Sequence, residues 1–112
     1  MDAEQRDLLL SMAYLYLACG RERRALPLLL LLLVATEHPA DLDCLRALAY
    51  AYTATDHGDL AMTTVERLEE LEAAPHNRGL LLLRSRALYK QARLPEARAC
   101  FSRCASHGAD AA

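Results

Sequence analysis

The residue types that could bind a metal ion lie close together near the end of the sequence. Cys100 and Cys104 are four positions apart and His107 follows three positions later, a spacing that brings the three side chains to one side of a helix. Thiolate and imidazole groups bind zinc, but a structural zinc site needs a fourth ligand and usually has tighter spacing within each ligand pair. We therefore predict no metal and no cofactor, and we expect Cys100 to pack against an adjacent helix.

Acid–base and nucleophilic chemistry find little support in the sequence. The acidic stretch ERLEELE, residues 66–72, places Glu66, Glu69 and Glu70 on the outer side of a helix, which is typical of a solvated face. The chain has four glycines, which leave little for a phosphate-binding loop, and it contains no HExxH helix and no Ser/His/Asp arrangement with local support. The sequence therefore predicts that the protein is not an enzyme.

The composition predicts one all-helical domain. The 112 residues include 24 leucines and 21 alanines but no isoleucine and two valines, so residues that favour helices dominate over those that favour strands. The net charge of −2 and a single short basic cluster at residues 21–24 disfavour nucleic-acid binding. The apolar run at residues 25–34 contains Pro27 and is about half of the roughly 20 residues that span a bilayer, so we predict a buried helix and no membrane insertion.

The cysteines and the first residues predict a reducing compartment. The opening MDAEQRD is acidic and polar, unlike a secretory signal. Disulfides are typical of secreted chains, whereas a composition able to form a core favours reduced thiols packed as small apolar groups. We therefore expect a cytoplasmic protein with free thiols at its four cysteines, Cys19, Cys44, Cys100 and Cys104.

A repeat of 36 residues organises the chain. Ala97 lies 36 positions after Ala61, which lies 36 positions after Ala25. The same step relates Leu29, Val65 and Phe101; Tyr16, Tyr52 and Leu88; Leu9, Leu45 and Leu81; and Ala13, Ala49 and Ser85. A fixed period of this length is typical of helical arrays. We predict a single domain at 1–108 with copies at about 3–38, 39–74 and 75–108, followed by a disordered tail at 109–112.

Each copy is predicted to form two antiparallel helices. The expected bounds are 3–19 and 22–37, 41–55 and 59–73, and 77–92 and 95–107. Asp41 and Asn77 are plausible N-caps. Because Pro27 lies inside the second helix, we expect that helix to start late or to kink. In the last helix we expect Ala97 and Phe101 to point inward.

The third copy resembles a known repeat. Its segment ALYKQARLPEARACF closely resembles the tetratricopeptide repeat, whose usual unit is about 34 residues. The first copy keeps YLYLACGRERRAL and the second keeps ALAYAYTATDHGDLA, which match more loosely. The resemblance implies three repeats stacked into a short right-handed superhelical solenoid. The first helix of each pair would line a concave groove, where ligands of this family usually lie.

One face of these first helices is left over after packing and is the predicted binding surface. Aromatic residues with a few arginines are common anchors for a captured helix or peptide. Tyr14 and Tyr50 are 36 positions apart and are expected to stack; the alternative is that they only cover the small residues beneath them. Arg84 occupies a position that is apolar in the other copies, so we expect loose packing there or an arginine directed at a partner. The predicted groove residues are Leu10, Tyr14, Leu17, Arg46, Tyr50, Thr53, Leu82, Arg86 and Tyr89.

Size and pattern narrow the resemblance to type III secretion chaperones. Within that group the opening DLLLSMAYLYLACGRERRALPLL looks most like the YscY-type chaperone. Membership would imply a cytosolic protein of a Gram-negative bacterium that binds a secreted YscX-type export component, mainly by its C-terminal helices. It would also help bring that component to the export gate. A needle-subunit co-chaperone is an open alternative.

More apolar surface is present than three helix pairs easily bury. LLLLLL at 28–33 lies within one helix, and the segment SRCASHGADAA at 102–112, where the third pair ends, does not supply a further amphipathic helix. Helical arrays normally end in a polar capping helix. We therefore expect a partner protein or a second copy to cover this surface, which leaves a homo-oligomeric scaffold as another alternative.

Overall fold

The structure, a computed structural model, describes residues 2–35, 42–71 and 78–110, with side chains described as far as residue 106. These ranges contain six helices and no strand, which confirms the all-α prediction for the described part of the chain. The predicted helix bounds that fall on described residues lie within three residues of the observed ones, whereas the predicted bounds at 37, 41, 73 and 77 lie outside the described residues. The helices are α1 (Ala3–Ala18), α2 (Glu22–Ala35), α3 (Leu42–Ala54), α4 (Gly58–Leu71), α5 (Arg78–Lys90) and α6 (Leu94–Asp110).

The three corners that join α1 to α2, α3 to α4 and α5 to α6 have the same backbone geometry. Gly20, Asp56 and Ala92, each 36 positions apart, are left-handed, with φ of 74°, 62° and 61°. At each corner, the backbone amide of the residue after the left-handed one donates a hydrogen bond to a carbonyl oxygen in the last turn of the first helix. The bonds run from Arg21 N to Tyr16 O (2.8 Å), from His57 N to Tyr52 O (2.9 Å) and from Arg93 N to Leu88 O (2.9 Å). This arrangement is the Schellman motif, which ends each first helix and reverses the chain.

Small residues let the helices of each pair approach closely. Ala13 and Ala25 are fully buried between α1 and α2, and Ala49 and Ala61 are fully buried in the second pair. In the third pair Ser85 donates a hydrogen bond through its hydroxyl to the Ala97 carbonyl oxygen, at 2.9 Å. A serine at this buried position is therefore satisfied by the neighbouring helix rather than left without a partner.

The core is continuous across the six described helices. Each helix packs against the next, and α3 also contacts α1, as α5 contacts α3. One buried cluster joins α1, α2 and α3, another joins α3, α4 and α5, and a third joins α4, α5 and α6. Leu29, Leu32 and Leu68 are among the largest fully buried side chains, and each contributes about 1.5–3 kcal/mol of transfer free energy. Because every cluster spans three helices, neighbouring pairs stabilise one another.

Several details of the helix ends differ from the sequence predictions. The expectation that α2 starts late is wrong, because the helix begins at Glu22 with Pro27 inside it; a kink at Pro27 stays a prediction. The helix α6 continues to Asp110, two residues into the segment predicted as a disordered tail. The predicted N-caps Asp41 and Asn77 lie outside the described residues. The observed cap is Asp2, whose carboxylate accepts from the Gln5 amide at 2.8 Å in a capping box.

The prediction that Phe101 points inward is wrong. Its counterparts Leu29 and Val65 are fully buried, whereas Phe101 is 55% exposed. Leu29 and Val65 are covered by the pair that follows them, since Leu29 clusters with residues of α3 and Val65 clusters with Leu80 of α5. No described helix follows α6, so the same position remains open.

Candidate functional site

The first helix of each pair presents most of the predicted groove residues at the surface. Tyr14, Tyr50, Leu82 and Tyr89 are exposed apolar or aromatic residues. Arg46 and Arg86 are exposed as well, and Leu17 is half-buried. These seven side chains come from α1, α3 and α5 and are accessible to another molecule.

The placement of Leu10 and Thr53 on the free face is wrong. Leu10 is buried in the cluster that joins α1, α2 and α3. Thr53 is fully buried, and its hydroxyl donates to the Tyr50 carbonyl oxygen at 2.7 Å. Leu10 packs because α1 contacts α3 as well as α2, and Thr53 packs because α3 contacts helices of both the preceding and the following pair. Helical spacing within one copy does not reveal these contacts between pairs.

A cavity of about 330 Å³ lies between α1 and α3. Tyr14 and Tyr50 both line it, so the structure brings these two predicted residues to one site. The Tyr14 hydroxyl donates to the Asp43 carbonyl oxygen at 3.4 Å, which ties the ring to the first turn of α3. The hydrogen bond therefore restrains the Tyr14 side chain at the edge of this cavity. The other lining residues are Leu17, Ala18, Arg46 and Ala47.

Charged groups connect the first helices at this surface. Cζ of Arg86 lies 5.0 Å from the centroid of the Tyr50 ring, so α5 contacts α3 through a cation–π interaction. The carboxylate of Asp43 on α3 forms ion pairs with Arg6 of α1 at 3.7 Å and with Arg46 of its own helix at 3.6 Å. Aromatic rings and guanidinium groups thus occur together on the exposed side of these helices.

A second and larger cavity, of about 810 Å³, lies between α5 and α6. We call it the terminal groove. Sequence reasoning missed its α6 wall, where Leu94 and Phe101 are exposed. The signal was the period of 36 residues, which relates Phe101 to Leu29 and Val65, two positions that contact the following helix pair. Three cations and no carboxylate occur among the described residues that line it. Those residues are Leu82, Ser85, Arg86, Tyr89, Lys90, Leu94, Ala97, Arg98, Phe101 and Ser102.

The buried cysteines pack against main-chain carbonyls of neighbouring helices. The Cys100 thiol donates to the Leu81 carbonyl oxygen at 3.2 Å and the Cys44 thiol to that of Leu29 at 3.3 Å. Burial raises the pKa of the Cys100 thiol, which disfavours the thiolate that a metal would need. Within the described side chains, no group of three potential ligands could hold a metal ion, and the His107 side chain lies outside them.

Arg84 forms an ion pair with Glu69 of α4, at 2.8 Å between Nη1 and Oε1. The guanidinium therefore joins α5 to the preceding helix at a position that is apolar in the second copy. One member of the acidic stretch, Glu69, is thus engaged within the fold. None of the described helices is long and apolar enough to cross a membrane.

Comparison with known proteins adds no family to this description. No protein-family model matches the chain, and no curated protein matches it.

Proposed function

We propose that the protein is a three-repeat, tetratricopeptide-like chaperone that binds helices of another polypeptide. The three similar left-handed corners at Gly20, Asp56 and Ala92 support a repeat of one structural unit. Contacts of α3 with both helices of the preceding pair, repeated by α5, support stacking of these units into a short solenoid. In this arrangement α1, α3 and α5 line one surface.

The observation that carries the proposal is the row of exposed aromatic and apolar side chains on these first helices. Tyr14 and Tyr50 line one cavity, and Leu82 and Tyr89 line the terminal groove. Large aromatic residues at a partly enclosed surface are enriched among the residues that dominate binding energy. An amphipathic helix laid along this row would bury its apolar face against the rings.

The charges of the row indicate what else the partner carries. Arg46 and Arg86 flank the tyrosines, and Arg86 is held over the Tyr50 ring. Guanidinium groups pair well with carboxylates, so acidic residues should border the apolar face of the captured helix. The mechanism is reversible masking of aggregation-prone helices, followed by delivery, without covalent chemistry.

Within this class we propose the YscY-type chaperone of type III secretion, acting in the cytoplasm of a Gram-negative bacterium. Its partner would be a YscX-type export component, bound mainly through that component's C-terminal helices and brought to the export gate. The support is the sequence resemblance of the first and third copies together with the exposed row on the first helices.

Co-expression with a YscX-type protein tests the proposal. Size-exclusion chromatography with light scattering should give a stable mixed complex, and Tyr50→Ala should weaken it. Val34→Ala is the matched control, because Val34 is exposed on α2, away from this row. A needle subunit supplied in the same way tests the alternative co-chaperone function. Absence of a complex with the YscX-type protein would contradict the proposal.

A further inference from the structure

The second helix of one pair packs against the first helix of the next pair at two places within the chain. The first and the last helix each expose one side of the same kind of contact. In the first instance, Leu29 of α2 and Cys44 of α3 are both fully buried, with the Cys44 sulfur 3.3 Å from the Leu29 carbonyl oxygen. In the second, 36 positions later, Val65 of α4 and Leu80 of α5 share a core cluster. The next equivalent of Leu29 and Val65 is Phe101 of α6, which has no described helix over it.

The outer face of α1 carries the complementary half. Leu8 lies 36 positions before Cys44, and Leu15 lies 36 positions before Ala51. Cys44 and Ala51 are fully buried against α2, whereas Leu8 and Leu15 are 63% and 66% exposed. With Met12, the counterpart of buried Leu48, they form a stripe along one side of the helix.

The terminal groove is the space that a following first helix would take. The helix α3 contacts both α1 and α2, and α5 contacts both α3 and α4. The next first helix in this progression would contact both α5 and α6. Those two helices supply all of the walls of the terminal groove.

The charges at the two ends are complementary. Three cations border the terminal groove, while the first two turns of α1 carry Glu4 and Asp7 on its exposed surface. Inside the chain, the ion pair of Arg6 with Asp43 joins α1 to α3 at 3.7 Å. Arg78 of α5 lies 72 positions after Arg6, and Asp7 lies 36 positions before Asp43. Asp7 pairs with Arg6 of its own helix at 2.8 Å, just as Asp43 pairs with Arg46 of its own helix as well as with Arg6. A second ion pair, equivalent to that of Arg6 with Asp43, can therefore form between Arg78 of one copy and Asp7 of the next.

We propose that α1 of a second copy occupies the terminal groove, with its Leu8 over Phe101, so that the array continues from one molecule into the next. The contact joins two different surfaces, and such head-to-tail contacts generate rings or open-ended assemblies rather than a closed dimer. The interface does not depend on the chaperone function. It shares Leu82, Arg86 and Tyr89 with the proposed partner surface, so a bound partner competes with the second copy there.

Two complementary variants of the full chain test this interface. Phe101→Glu blocks the terminal groove and leaves the α1 stripe intact, whereas Leu8→Glu does the reverse. Light scattering of the wild-type chain should show a mass that rises above 12.4 kDa with concentration, while each variant alone remains at the monomer mass. An equimolar mixture of the two variants should give a dimer of twice that mass, because one intact stripe meets one intact groove.

Val34→Glu is the matched control, because Val34 is exposed on α2 and its counterpart in the second copy is Glu70. This variant should associate like the wild type. If Phe101→Glu or Leu8→Glu fails to fold by circular dichroism, Leu94→Glu and Leu15→Glu replace them at the same two surfaces. A wild-type chain that stays monomeric, a variant that self-associates like the wild type, or a mixture that stays monomeric would each overturn the proposal.

Discussion

Arg86 of α5 lies over the ring of Tyr50 of α3, with 5.0 Å between Cζ and the ring centroid. The contact joins the second and third helix pairs at the surface rather than in the core. A cation–π interaction at an exposed site contributes about 0.5–1 kcal/mol. The ring therefore has one face engaged by the protein while its remaining surface is accessible. Tyr50 can consequently serve binding without being a principal determinant of stability.

We expect Tyr50→Ala to weaken partner binding by roughly 1–3 kcal/mol, as for a central aromatic anchor. The free energy of unfolding should fall by about 1 kcal/mol or less, because the change removes the contact with Arg86 but opens no fully buried space. Isothermal titration with the YscX-type protein and denaturant unfolding of the free chain measure the two effects. A collapse of thermal stability, with binding following it, would place Tyr50 in the core instead.

The left-handed corners predict opposite effects for two reciprocal substitutions. Ala92→Gly should stabilise the fold by about 0.5–1 kcal/mol, because a left-handed backbone strains alanine but not glycine. Gly20→Ala should destabilise it by about 1 kcal/mol for the same reason. Apart from Gly20 and its two chain neighbours, no described residue has an atom within 4 Å of a Cβ added at Gly20, so the effect is confined to the backbone. Urea unfolding checks both, and a destabilised Ala92→Gly would contradict the common corner geometry.

Gly58 is required for a close approach between α4 and the end of α5. A Cβ at this position would lie 2.9 Å from the carbonyl carbon of Lys90 and 3.1 Å from the Gln91 amide nitrogen. Because both are backbone atoms, the helices must move apart, and we expect Gly58→Ala to cost about 1–3 kcal/mol of stability. Glu22→Ala is the control at the equivalent position of the first pair. Equal stability of the two variants in urea would show that the approach is not tight.

The period of 36 residues was sufficient to predict the helices, but it could not predict how exposed equivalent residues would be. Spacing identifies which positions correspond, whereas burial depends on how many neighbours a helix has. Phe101 corresponds to Leu29 and Val65 but belongs to the last described pair, so it is exposed. Thr53 is buried for the opposite reason, because the central helix α3 packs on both sides.

The sequence was also insufficient to predict which charged residues pair with one another. The sequence indicated that Arg84 was out of place in an apolar position, but its partner Glu69 lies 15 residues earlier, on another helix. Pairing between helices depends on the angle and rotation at which they pack, which a pattern within one helix does not contain. The same reason hides the contact of Arg86 with Tyr50, although both residues were predicted to share a surface.

The ion pair between Lys90 and Asp56 predicts a pH dependence of stability. Lys90 Nζ lies 2.6 Å from Asp56 Oδ1. The hydrogen bond from Lys90 is the largest cause, and its positive charge the second, that lowers the pKa of Asp56 below the ordinary value of 3.8. A carboxyl group whose pKa is lowered in the folded state stabilises the fold above its unfolded pKa, and this contribution is lost as the pH falls through the folded value. The ion pair should therefore contribute at neutral pH and not in strong acid.

Lys90→Met removes the cation and tests this dependence. We expect the variant to unfold at a lower temperature than the wild type near neutral pH. The difference should disappear as the pH falls through the lowered pKa of Asp56, because its carboxyl group then becomes protonated in both proteins. The effect should be small and should decrease with added salt, because the pair is exposed. Arg98→Met is the control, since it removes a cation of α6 that is not paired with Asp56. A difference between wild type and Lys90→Met that is independent of pH would mean that Lys90 acts through its hydrocarbon chain rather than through its charge.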